Sequence, residues 1–183
     1  MSNLASDAVS NDDEPPSMSL AMPSDGLNVQ LILEAPETTP PLADWFESRL
    51  IAAMREAGVS HGTLNVLVLD DAAMGELHDR YHGDPLPTDV LTFDLRDDPQ
   101  DGNNVVEGDI AVCVDVAAQR SAERQHPVRE ELLLYAVHGL LHLLGEDDHD
   151  PAAFDRMHAR EDAILTAIGV GPRFAPFDEG KPS

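Results

Sequence analysis

Residues 138–149 have the sequence HGLLHLLGEDDH, and this stretch decides how the fold is interpreted. His138 and His142 are four residues apart in a leucine-rich segment, a spacing that places both imidazoles on one face of an α-helix. Gly145 lets the chain leave the helix, because glycine tolerates the left-handed conformation that ends many helices. Beyond it, Asp148 and His149 can return to the same face. Two helical histidines and a third ligand predict a zinc-like ion with one open position, which is typical of a catalytic site.

The helix that carries the two histidines is predicted to be buried. It extends from about Val128 to Leu144 and is apolar on nearly all sides, which is typical of a helix at the centre of a fold. Two buried neutral imidazoles need polar partners, and a metal ion would partner both at once. The competing interpretation is a structural histidine pair without a metal. We expect one Zn²⁺ per chain, held by His138 and His142.

Hydrophobic periodicity predicts the elements around this helix. Strands are predicted at residues 27–34, 64–69, 90–95 and 105–114, the last interrupted at Gly108-Asp109, and helices are predicted to end near residues 57, 81, 125, 144 and 168. This order, with one direct strand-to-strand connection, predicts an α+β fold: a mixed, mostly four-stranded sheet packed with about five helices. Residues 1–26 are predicted to be a disordered acidic tail, 27–170 a single domain, and 171–183 a flexible tail.

The charge of the chain argues against a nucleic-acid partner. The net charge is −24, and removing the five acids of the first 26 residues still leaves −19 on the domain. Such a field repels polyanions. A single cysteine, Cys113, excludes an internal disulfide and fits a reducing compartment. The chain has neither an apolar stretch of membrane-spanning length nor a basic N-terminus typical of a secretory signal, so we expect a cytoplasmic protein without membrane contact.

Three motifs occur in order along the chain: PTDVLTF at residues 87–93, GDI at 108–110 and HGLLHLLG at 138–145. Together they resemble the YbeY family of metal-dependent endoribonucleases, which act in ribosomal RNA maturation. The resemblance implies single-strand-specific cleavage, a role in 16S rRNA 3′-end maturation and ribosome quality control, and as partners an rRNA precursor and the small ribosomal subunit. Because the chain is so acidic, we also expect a protein partner or the ribosome to supply positive charge.

The family pattern places a third histidine six residues after the second. Here that position holds Asp148, and His149 follows it. Carboxylate and imidazole both bind zinc, so the register favours Asp148, the residue type favours His149, and both stay candidates for the third ligand.

Three further residues are candidates for the site. The family has an arginine near this point in the chain, and Arg80 is the candidate for steadying a phosphate, although its order with Tyr81 is reversed here. Asp89 and Asp109 are candidates for hydrogen bonds that orient a metal-binding imidazole. The alternatives are an Asp89 that caps backbone amides and an Asp109 that supports a bulge at Gly108.

Other polar residues are expected to be structural or exposed. Arg120, Arg124 and Arg129 are expected to pair with nearby glutamates, and an RNA-facing patch is the alternative. The histidines without a motif are expected at the surface; these are His61, His78, His126 and His158.

Three functions compete on these residues. An endoribonuclease can use a metal to generate hydroxide for attack on a phosphodiester, with Arg80 or another arginine on the phosphate. A zinc peptidase of the His-Glu-x-x-His type needs a glutamate as general base where this chain has Gly139. The third is a non-catalytic ribosome-associated factor with a structural metal, in which His142→Ala would unfold the domain.

Overall fold

The structure is a computed structural model that describes residues 26–34, 41–97 and 104–173. The strands are β1 (Leu27–Leu33), β2 (His61–Leu69), β3 (Val90–Asp94) and β4 (Val105–Cys113). The helices are α1 (Pro41–Glu56), α2 (Asp71–His82), α3 (Val114–Arg124), α4 (Val128–Leu143) and α5 (Pro151–Ala167). Among the described residues, no helix has the length and apolar composition that crossing a membrane needs. Most of the predicted tails and of the loop before β4 lie outside the described residues.

The four strands form one mixed sheet in the order β1-β2-β4-β3. β1, β2 and β4 are parallel, and β3 runs antiparallel to β4. The parallel pairs need crossover connections, which α1 and α2 provide. β3 and β4 follow each other in the chain, and the described residues between them, 95–97 and 104, contain no helix. The α+β fold predicted from the sequence is confirmed, with a four-stranded mixed sheet and five helices in the part of the chain that the structure describes.

Helix α4 lies at the centre of the fold. It contacts β3, β4, α1, α3 and α5, and eleven of its sixteen residues are buried. The main core joins it to the inner face of the sheet, where Leu64, Val66 and Ile110 are fully buried. α2 packs with Met74 into a smaller cluster that includes Leu69 and Cys113. Alternate strand residues point to opposite faces, so one face of the sheet meets α4 and the other meets α2.

The predicted interruption of β4 is wrong. β4 pairs with β2 and β3 in an unbroken register through Gly108 and Asp109. A Cβ atom at position 108 would lie 2.7 Å from Leu143 Cδ1 and 2.9 Å from the backbone oxygen of Phe93. Gly108 therefore permits the close approach of α4 and β3, and it does not mark a bulge.

Candidate metal centre

Helix α4 brings His138 and His142 together, as their spacing predicts. Their ring centroids are 4.5 Å apart, and the two Nε2 atoms are 2.9 Å apart. The side chains are 18% and 28% exposed, although the residues between them on α4 are buried. The two histidines therefore lie on a buried helix, but their side chains remain partly accessible to solvent.

The Nδ1 atom of each imidazole lies at hydrogen-bond distance from an oxygen acceptor. Nδ1 of His138 lies 2.6 Å from Glu161 Oε1, and Nδ1 of His142 lies 3.0 Å from the backbone oxygen of Glu146. A carbonyl oxygen and an ionised carboxylate only accept hydrogen bonds, so each Nδ1 carries the ring proton. In the neutral rings, both Nε2 atoms then face each other with lone pairs. A cation between them would relieve this repulsion and take the donor atoms that metals bind.

The chain returns to these rings after α4 ends. Gly145 has φ +88°, the left-handed conformation expected there. Asp148 then lies with Oδ2 3.8 Å from Nε2 of His138 and Oδ1 4.0 Å from Nε2 of His142. His149 is 85% exposed, and its Nδ1 contacts Asp147. Of the two candidate third ligands, only Asp148 has its side chain beside both imidazoles.

The three side chains suit a small divalent cation. Zinc bonded tetrahedrally to two imidazole nitrogens would separate them by about 3.3 Å, a few tenths of an ångström more than observed. Two other groups of potential ligands occur nearby. In one, Glu161 is fully buried and both its oxygens lie at hydrogen-bond distance from histidines. The other consists of consecutive residues in an exposed turn, including the outward-facing His149. The best ligand group is therefore His138, His142 and Asp148.

A cavity of about 430 Å³ opens beside this group. Its wall includes His138, Asp148 and residues of α3, α4 and α5. Asp89 also lines it, and its Oδ1 accepts hydrogen bonds from Thr88 Oγ1 and from its neighbour's backbone, Val90 N. Asp89 therefore lies beside the cavity and accepts a backbone amide, which is the capping role weighed as the alternative.

The structure corrects two placements. Asp109 is on the sheet face opposite α4, where its Oδ1 accepts a hydrogen bond from Asn65 Nδ2 at 2.8 Å, so it does not hold a ring of the pair. Arg80 is exposed near the end of α2 and is not among the residues that line the cavity. Arg120 and Arg124 of α3 line it instead.

The chain has relatives among known proteins. The family described as "Endoribonuclease YbeY" matches residues 33–169 of the chain. The chain belongs to the YbeY endoribonuclease family. A protein named "Endoribonuclease YbeY" from Rhodopirellula baltica is 31% identical over 163 residues, covering 82% of this chain and 81% of the relative. The protein of that name from Moorella thermoacetica is 37% identical over 126 residues, covering 65% of this chain and 81% of the relative.

A solved structure has the same fold. The solution structure of TM1509 from Thermotoga maritima matches 84% of this chain and 99% of its own, with a TM-score of 0.54 and 22% identity. The YbeY resemblance and the endoribonuclease class predicted from the motifs are confirmed by the family match and the named relatives.

Two residues beside the histidine pair of this YbeY-family chain were not predicted to belong to the site. Glu161 is fully buried, and His158, expected at the surface, is only 9% exposed with Nδ1 2.6 Å from Glu161 Oε2. Glu161 continues an apolar helical stripe formed by Met157, Ile164 and Leu165. An acid in the middle of such a stripe indicates a buried partner, and that pattern would have found it.

Glu161 also affects the pKa of His138. Burial lowers the pKa of His138, but the hydrogen bond and charge of Glu161, with smaller contributions from Asp148 and Asp89, outweigh it. The pKa of His138 is therefore raised above its ordinary value. A cation at Nε2 would have to displace a proton that this carboxylate favours.

The expected arginine–glutamate pairs are present, but the side chain of one histidine expected at the surface is largely buried. Arg120 pairs with Glu123 at 3.1 Å and Arg124 with Glu131 at 3.0 Å, as predicted. His126 is not a surface residue: its side chain is 8% exposed, and Nε2 lies 2.7 Å from Glu131 Oε2 without alignment for a hydrogen bond.

Gly139 separates this site from the His-Glu-x-x-His design. It is buried, and a Cβ atom there would lie 3.0 Å from Cγ2 of Ile110 on β4. A glutamate at this position would have to push aside the buried side chain of Ile110. The packing of the YbeY-family helix therefore disfavours the peptidase alternative.

Proposed function

We propose that the protein is a metal-dependent endoribonuclease that cleaves single-stranded RNA, with one Zn²⁺ bound by His138, His142 and Asp148. The observation that carries this proposal is the pair of Nε2 atoms 2.9 Å apart, each with its Nδ1 proton committed to an acceptor. The carboxylate of Asp148 lies within 4.0 Å of both. Three protein ligands would leave one position of a tetrahedral ion for water or substrate.

Bound zinc would lower the pKa of a coordinated water to near 7 and neutralise charge on a phosphate oxygen. The protein itself would orient the two imidazoles and provide space for the substrate. Glu161 and the backbone oxygen of Glu146 accept the Nδ1 protons of the two neutral rings, which leaves the Nε2 atoms as the ligands for a cation. The neighbouring cavity would receive the RNA backbone. No further general base is required, which fits a motif with glycine at position 139.

Arg120 is a better phosphate partner than Arg80. It lines the cavity and is 54% exposed, and its partner Glu123 is 49% exposed. Exposed pairs of this kind are screened by solvent and contribute little to stability, so a phosphate can replace the glutamate. Arg124 is less available, because its partner Glu131 is fully buried and moving the arginine away would remove a hydrogen bond from a carboxylate that water does not reach.

We further propose that the substrate is an rRNA precursor, that the cleavage matures the 3′ end of 16S rRNA and serves ribosome quality control, and that it takes place in the cytoplasm on the small ribosomal subunit. Membership of the YbeY family supports the substrate class. The net charge of −24 makes encounter with free RNA unfavourable at long range. A ribosomal or other basic protein partner would offset this repulsion.

The test is cleavage of a labelled single-stranded RNA by the zinc-loaded protein, with and without chelator, and with His142→Ala alongside. We expect cleavage that chelator abolishes, no cleavage of the matching duplex, and a His142→Ala variant that is folded but inactive. Equal cleavage with and without chelator would refute the proposal. Loss of the thermal transition in His142→Ala would instead support a structural metal in a non-catalytic factor.

A further inference from the structure

Helix α5 directs one carboxylate into the space behind the histidine pair. Glu161 has no exposed surface. Its Oε1 lies 2.6 Å from Nδ1 of His138, and its Oε2 lies 2.6 Å from Nδ1 of His158. Each oxygen has a different imidazole as its partner, so the carboxylate bridges the two rings.

Packing does not account for a carboxylate at this position. Its neighbours along the inner face of α5, Met157, Ile164 and Leu165, are buried and apolar. Burying a carboxylate costs free energy even when it is paired. Replacing a buried polar pair by apolar residues is often neutral or stabilising, so stability alone gives little reason to place a carboxylate here. Glu161 therefore has a use other than filling space, and its contact with His138 indicates what that use is.

We infer that Glu161 is a positioning residue that fixes the ring orientation and the Nδ1–H tautomer of His138, with His158 as the second anchor of the same carboxylate. This inference rests on the zinc site proposed above. His158 is itself held in place: its ring stacks on that of His138 with centroids 5.9 Å apart and meets Phe154 edge-on at 4.1 Å. The carboxylate is thus fixed at both oxygens, and Nε2 of His138 points to the cation position.

Replacing the carboxylate by an amide tests this role with little change in shape. In Glu161→Gln, the side chain has one accepting oxygen and one donating NH₂ group for two imidazole Nδ1–H groups. If the NH₂ faces His138, that ring must move its proton to Nε2, where it blocks metal binding. A second change, His158→Asn, offers the NH₂ group an acceptor at position 158 and frees the amide oxygen for His138.

The experiment measures the Zn²⁺ affinity of the full chain by competition with a chromogenic chelator, beside thermal unfolding of the metal-free forms. We expect Glu161→Gln to weaken zinc binding by about 10- to 100-fold, the usual effect of losing a carboxylate behind a metal-binding histidine. The double variant Glu161→Gln with His158→Asn should recover about tenfold or more of that loss. A purely structural role predicts no such rescue, because the double variant carries two changes in the core.

Glu131→Gln is the matched control. Glu131 is equally buried and pairs with Arg124, yet it contacts neither His138 nor His142. We expect this variant to lose thermal stability while its zinc affinity stays within about threefold of the natural protein. Equal losses of affinity in Glu161→Gln and Glu131→Gln would overturn the inference.

Other outcomes separate the inference from the proposed function. If the natural protein binds zinc and Glu161→Gln binds it equally well, or the double variant is as weak as the single one, the positioning role is refuted and the metal site stands. If the natural protein binds no zinc, the metal site is refuted. Should Glu161→Gln not fold, ¹⁵N shifts of the zinc-loaded natural protein decide: we expect the proton of His138 on Nδ1, and a proton on Nε2 would overturn the inference.

Discussion

Gly139→Ala tests whether the metal-binding helix is held against the sheet as closely as the structure has it. The new Cβ atom would lie 3.0, 3.2 and 3.4 Å from three side-chain carbons of Ile110, which is fully buried. Overpacking of this kind costs about 1–3 kcal/mol. The higher helix propensity of alanine stabilises the folded protein by about 1 kcal/mol and offsets part of this cost. We therefore expect a net destabilisation of about 1 kcal/mol.

A double-mutant cycle with Ile110→Ala isolates this contact. Ile110→Ala alone should cost about 2–5 kcal/mol, because it leaves a cavity. It also removes all three atoms that the new methyl group meets, so in this background Gly139→Ala should stabilise the protein by about 1 kcal/mol through propensity. The expected coupling is thus about 2 kcal/mol, within the range for residues in contact.

The assay is urea unfolding of the four metal-free proteins in chelator, since bound metal would add its own linkage term. Equal slopes with urea concentration are the control for two-state unfolding. If Gly139→Ala stabilises the natural protein by the same amount as it stabilises Ile110→Ala, the two positions are independent. The close contact of α4 with β4 would then be refuted, along with the steric argument against a glutamate at position 139.

Two further predictions concern residues outside the candidate site. Arg96 donates to Asp94 at 2.7 Å and to the Leu143 backbone oxygen at the end of α4 at 2.8 Å, so Arg96→Ala should lose about 1.5–3 kcal/mol in urea unfolding. Hydrogen bonds from Arg96 outweigh partial burial and lower the pKa of Asp94. The stability that this ion pair contributes is therefore present above about pH 4 and is lost as the pH falls. A stability difference between the natural protein and Arg96→Ala that grows in acid would contradict this. Burial, with a smaller effect from Asp71, raises the pKa of Cys113 to about 11, so the native thiol should react with a disulfide reagent at pH 8 far more slowly than in urea. Equal rates would show that Cys113 is accessible.

The sequence predicted the elements whose periodicity is strong and local. The i, i+4 spacing of His138 and His142 requires only a helix, and the all-round apolar composition of α4 requires only burial. The turn at Gly145 was likewise predictable, because the left-handed conformation it needs is specific to few residues. The family motifs added the endoribonuclease class, which periodicity alone does not provide.

The remaining features depend on tertiary placement. The position of Arg80 in the chain predicts a place near the site, yet α2 packs on the sheet face away from α4. Arg120, on α3, lines the cavity. The expected interruption of β4 at Gly108-Asp109 broke the alternation of its side chains, whereas the unbroken strand places Asp109 on the face opposite Ile110. The choice between Asp148 and His149 depended on loop geometry, which no local pattern specifies.

The most direct test of the central claim is a crystal structure of the zinc-loaded protein with data collected at the zinc absorption edge. We expect one anomalous peak per chain, bonded to Nε2 of His138, Nε2 of His142 and a carboxylate oxygen of Asp148, with His149 directed to solvent. A peak coordinated by His149 in place of Asp148 would contradict the ligand assignment. The absence of any peak between the two imidazoles would contradict the metal site itself.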